Sequence, residues 1–81
     1  MTFEEFRKTG RDVDDLNDHV DDFPSDEPVN GRLYLDALWA VPCVTSGVGW
    51  MTVIGNREFQ HPSLEVIELK LYHFAVSEGM A

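Results

Sequence analysis

Eighty-one residues suffice for one domain with a modest core. Fifteen acids against six bases give a formal charge of −9, which argues against direct binding to DNA, RNA or an anionic membrane, because phosphate binding needs clustered Lys and Arg. Yet 43% of the residues are hydrophobic and nine are aromatic, too apolar for a disordered acidic chain, so a folded domain is expected.

The charge is uneven. Residues 1–30 hold ten acids and three bases, a net of −7, and residues 31–81 hold five acids and three bases, a net of −2. Such asymmetry points to an interaction surface in the first part, suited to basic proteins or divalent cations. Cys43 is the sole cysteine, so no intramolecular disulfide forms, and it reads as a small buried apolar residue in a reducing cytosol. Met-Thr-Phe-Glu-Glu-Phe lacks the basic start and apolar run of a signal peptide, and no uncharged stretch approaches a membrane span. A cytoplasmic, soluble chain is expected.

Thr2 and Glu5 have capping-box spacing and open a helix whose apolar contacts are Phe3 and Phe6. Gly10 either ends a short helix, with Asp12 capping a second, or lies inside one helix at a cost of about 1 kcal/mol. Phe6, Val13 and Val20 recur every seven residues and favour the nearly continuous helix, ending near Asp22 before Pro24. At about 100° per residue, Val13, Leu16, Val20 and Phe23 share one face. Asp14, Asp15, Asp18, Asp21 and Asp22 share the opposite one. Between Asp12 and Glu27 lie eight acids and no base, Asp26 and Glu27 completing the run.

Residues 23–31, with Pro24, Pro28 and Asn30-Gly31, read as a loop. Arg32 to Val41 alternates, with Leu33, Leu35, Ala37, Trp39 and Val41 on one side and Tyr34, Asp36, Leu38 and Ala40 on the other. The pattern is that of a strand ended by Pro42, with a helix as the alternative. Val44 to Gly49 reads as a turn. Trp50–Ile54 and Arg57–Gln60 flank Gly55-Asn56 as a hairpin, which places Phe59 opposite Thr52. His61-Pro62-Ser63 opens the last helix, Pro at the first helical position and Ser63 serving the exposed amides. Its apolar face is Leu64, Ile67, Leu71, Phe74 and Ala75, and Gly79 stops it. A second apolar group, Leu69, Tyr72 and Val76, lies on another side, where a partner or second copy would dock in a homodimer.

The expected fold is α+β in the order α-β-β-β-α, an antiparallel three-stranded sheet with two helices on one face. Double-stranded-RNA-binding domains are similar in element order alone; they use basic residues, and this chain has the opposite charge balance. The acidic strip is either a solvated face or a decoy for a basic groove, since carboxylates along a helix imitate part of the phosphate pattern of a duplex. In size and charge the chain is similar to small acidic phage proteins that block restriction or CRISPR machinery.

No cofactor or metal is expected. An EF-hand beginning at Asp12 would need an acid at Leu16, a glycine at Asn17 and a glutamate at Phe23. His19 beside Asp15 and Asp22 offers weak surface binding of a divalent cation at most. His19, His61 and His73 lack zinc spacing with Cys43, and Ser46 to Gly49 lacks the Gly-Lys-Ser/Thr ending of a phosphate loop. No catalytic activity is expected. Trp39 reads as buried, and Trp50 as the better candidate for partial exposure. The functional expectation is a non-catalytic protein that binds a basic surface of another protein through Asp14, Asp15, Asp18, Asp21, Asp22, Asp26 and Glu27. The alternative is a subunit that self-associates through Leu69, Tyr72 and Val76.

Overall fold

The computed structural model describes residues 1–24, 26–43 and 49–81. Helix α1 (Phe3–Lys8) begins with the expected capping box: Thr2 Oγ1 accepts from the Glu5 amide at 3.1 Å, and Glu5 Oε1 accepts from the Thr2 amide at 2.8 Å. The helix stops after six residues, because Gly10 passes over the ring of Tyr34. A Cβ there would lie 2.5 Å from Tyr34 Cε2.

Beyond Gly10 the chain does not continue as a helix to Asp22. Instead it forms strand β1 (Arg11–Val13) and one 3₁₀ turn (Leu16–Asp18), then crosses the sheet irregularly. Phe6 packs into one hydrophobic cluster, whereas Val13 and Val20 pack against another. Their seven-residue recurrence therefore marks a chain passing from one face of the sheet to the other.

The sheet has five antiparallel strands in sequential order rather than three: β1, β2 (Gly31–Tyr34), β3 (Leu38–Pro42), β4 (Trp50–Ile54) and β5 (Arg57–His61). The stretch expected as one strand, 32–41, is a hairpin. Leu35 and Asp36 turn with φ of 53° and 55°, and the Ala37 amide donates to the Tyr34 carbonyl at 3.0 Å. A left-handed leucine costs about 1–2 kcal/mol, and packing of Leu35 on the helix-side cluster offsets it. The β4–β5 hairpin has the expected register, Thr52 opposite Phe59, with Gly55 at φ 62° in the turn. The turn read at 44–49 lies, Gly49 apart, outside the described residues.

Helix α2 (Leu64–Ser77) packs with α1 on one face of the sheet, where Phe6, Tyr34, Ala40, Ile67, Leu71 and Ala75 are buried together. Pro62 precedes its cap, and Ser63 makes no side-chain capping bond; the Ser63 amide donates to His61 Nδ1 at 2.9 Å. Gly79, at φ 75°, closes the helix with the Met80 amide donating to the Ala75 carbonyl. The opposite face of the sheet carries Leu33, Trp39 and Val41. They are covered by Leu16, Val20, Phe23 and Val29 of the acidic segment. The molecule is thus layered as helices, sheet and acidic segment.

Candidate functional site

The acidic segment is held by a few of its own acids. Asp15 Oδ1 accepts from the Asn17 amide at 3.0 Å and the Val29 amide at 3.2 Å. These two bonds hold the Asp15 carboxyl below its usual range, Asn17 first and Val29 second. Asn17 Nδ2 donates to the Glu27 carbonyl, and the Leu16 amide to the Val29 carbonyl at 2.8 Å. Leu16, fully buried, is the apolar nail. Gly31 lies directly beneath it: a Cβ there would stand 2.7 Å from both the Ala40 carbonyl oxygen and Leu16 Cδ1. Further along, Asp22 Oδ2 accepts from Trp39 Nε1 at 2.9 Å, and the Phe23 ring leans on Trp39 with centroids 4.7 Å apart.

The seven acids singled out from the sequence therefore divide. Asp15 is half-buried and Asp22 exposed, and both bond the fold. Asp14, Asp18, Asp21, Asp26 and Glu27 are exposed on the segment so anchored. They share no helical face. Among the described residues the ion pairs join Arg7 to Glu4, Glu65 and Glu68, Arg11 to Asp36, and Arg32 to Asp12. None of these reaches Asp14, Asp18, Asp21, Asp22 or Asp26, so the field of that face is uncompensated at close range. His19 is exposed. No group of three His, Cys, Asp or Glu side chains among the described residues is arranged to hold a metal ion.

Beside Asp22 and Phe23 the sheet opens. β3 pairs with β2 through Leu38, Trp39 and Ala40, but its register with β4 comprises only Val41–Met51 and Pro42–Trp50. The Trp39 carbonyl is met instead by the Thr52 hydroxyl. The tips of the two hairpins, at Ala37 and Gly55, diverge and leave a cleft of about 560 Å³. Phe23, Trp39 and Met51 wall it on one side, Leu71 and Phe74 of α2 on the other, and Asp22 stands at its edge. Val53, which also lines it, is 41% exposed, so the cleft is open to solvent.

A second polar cluster spans the helix side. Glu68, 2% exposed, accepts from Tyr34 Oη at 2.6 Å and from Arg7 Nε at 2.9 Å. Arg32 Nε donates to Tyr34 Oη at 3.2 Å, and Arg32 Nη1 to Asp12 at 2.9 Å. Burial, then the bond to Glu68, pushes the Tyr34 phenol well above its ordinary value. No buried side-chain nitrogen or oxygen among the described residues lacks a partner, so this chain reads as a staple between α1, α2 and the sheet. Glu68 is not among the residues expected to be functional, although its spacing of four from Leu64 and three from Leu71 places it on the buried face of α2.

Of the proposed self-association residues, Tyr72 is spent internally: its ring packs on Phe3 and Phe6 at 5.6 Å, and its hydroxyl donates to the Met1 carbonyl at 2.7 Å. Leu69 and Val76 remain 40% and 47% exposed. Trp39 is buried and Trp50 half-buried. No described helix is long and apolar enough to cross a membrane. Comparison with protein families, with curated proteins and with solved structures gave no match.

Proposed function

We propose that this protein is a non-catalytic binding domain whose acidic segment engages a basic surface on another protein and thereby inhibits or regulates it. The observation that carries the reading is the division of labour among the acids. Asp15 and Asp22 tie the segment down, so that Asp14, Asp18, Asp21, Asp26 and Glu27 project from a fixed backbone rather than a loose tail. Fixed charges lose little conformational freedom on binding and steer a basic partner over long range. The groove of a nucleic-acid-binding protein has the required chemistry. The reading rests on charge and fixed display, not on duplex-like spacing, because these acids do not lie along a helix.

The test is capture from a lysate at low and moderate salt, with mass spectrometry of what is retained. Native protein is compared with a variant carrying Asp14→Asn, Asp18→Asn, Asp21→Asn, Asp26→Asn and Glu27→Gln. Asp15 and Asp22 are left intact, because both also bond the fold and the variant is meant to change only the acids that project from it. A basic protein retained by the native chain alone, and released by salt, supports the reading. Equal capture by both contradicts it.

A second reading follows from Leu69 and Val76, seven residues apart on α2 and both exposed. Their strip would mediate self-association. Sedimentation of native protein should then show a dimer that Leu69→Asp with Val76→Asp converts to a folded monomer. A native monomer at high concentration would eliminate this reading.

A further inference from the structure

We propose that the cleft between β3 and β4 is the anchor site for a short basic amphipathic segment of a protein partner. Apolar side chains of that segment enter between the hairpin tips, and an arginine or lysine meets Asp22. The inference rests on the acidic-face reading above and names the partner's chemistry more closely.

The cleft has the size of a built binding site, about 560 Å³, within the usual range for such sites. It forms because the two hairpins pair over only two residue positions before diverging, so an apolar opening remains in the middle of the sheet. Covering it would remove Met51, Val53 and Phe74 further from water. Asp22 and Phe23 of the acidic segment line it without closing it, and Val53, which also lines it, remains 41% exposed.

Charge selects the occupant. Asp22 offers one carboxylate oxygen to the Trp39 indole, and no described Lys or Arg pairs with it. An exposed carboxylate held against an indole at an apolar cleft suits a guanidinium or ammonium whose stem lies along the apolar wall. Asp21, adjacent and exposed, adds to the same field. An acidic or neutral apolar segment would leave Asp22 desolvated without a cation, which is costly.

The experiment measures fluorescence anisotropy of two labelled peptides of equal length and charge, one alternating leucine and arginine, the other glycine and arginine. Native protein should bind the leucine peptide at least about tenfold more tightly, the scale of a buried anchor. Val53→Arg, at the mouth, and Asp22→Asn, which preserves the acceptor for Trp39 but removes the charge, should each abolish that preference. Gln60→Arg makes the same charge change as Val53→Arg outside the cleft and should retain it. Circular dichroism verifies each variant, and should Val53→Arg unfold, Asp22→Asn decides alone. No preference in the native protein, a preference that survives either cleft substitution, or its equal loss in Gln60→Arg overturns the proposal. The five-site acid variant separates the two claims. If it loses both peptides while the cleft variants behave as native, the acidic-face reading stands and the cleft fails. If it binds as native while the cleft variants lose the leucine peptide, the cleft stands and the acidic face fails.

Discussion

Tyr34 is the residue on which the helix side turns. Its ring stacks on Phe6 with centroids 5.2 Å apart, and its hydroxyl is shared between Glu68 and Arg32. Tyr34→Phe leaves a buried Glu68 oxygen without a donor and should cost about 1–3 kcal/mol in urea unfolding. In a double-mutant cycle with Glu68→Gln the two costs should fall short of additive, because the substitutions cut one shared bond; strict additivity would show that the bond carries no coupling. Asp15 makes a different prediction. Its carboxyl is held below the unfolded value by the Asn17 and Val29 amides, so its contribution to stability is fully present above the unfolded value of about 3.9. That contribution is lost as pH falls through the lower folded-state value. The gap in urea midpoint between native protein and Asp15→Ala should be constant near neutrality and narrow below that point. A gap unchanged down to strong acid would exclude the assigned bonds.

Elements were legible where a local rule had no competitor. The capping box placed the start of α1, Gly55-Asn56 placed the β4–β5 turn, and apolar spacing placed α2. The β2–β3 hairpin was hidden because its turn, Leu35-Asp36-Ala37, has no Gly, Pro or Asn. It was hidden also because its register pairs residues of equal parity, Leu33 with Trp39 and Tyr34 with Leu38. Odd and even residues then keep their faces as they would along one unbroken strand. The end of α1 was hidden by a contact distant in sequence, Gly10 against Tyr34. The acids were legible as a run but not as two populations, since nothing local tells Asp15 or Asp22, which bond the fold, from Asp14 or Asp21, which do not. The cleft was not legible, because it depends on where two hairpins part. Leu16→Ala should cost about 2–5 kcal/mol and loosen the acidic segment, seen as faster amide exchange at Val29. Gly31→Ala, which drives a Cβ toward the Ala40 carbonyl and Leu16, should cost about 1–3 kcal/mol. Gly55→Asn, at positive φ in open space, should be nearly neutral by thermal unfolding.

Across the whole molecule, charges of both signs lie on the helix side, where Glu4, Glu65 and Glu68 surround Arg7. Arg57 and Lys70 flank Phe59 beside α2, while the acidic segment lies over the other sheet face. Like charges held along one segment repel one another. Neutralising the five exposed acids should therefore leave the thermal midpoint unchanged or slightly raised at low salt, and a substantial fall would assign them a structural role. On the function proposed above, these acids act because the fold holds them in place. The most direct measurement is the affinity of one captured basic partner for three ligands at two salt concentrations: the intact domain, its five-site variant, and a free peptide of residues 12–30. The domain should bind at least about tenfold more tightly than either of the others, with the advantage over the five-site variant shrinking as salt rises. A free peptide that binds as tightly as the domain, or a five-site variant that does, would contradict it.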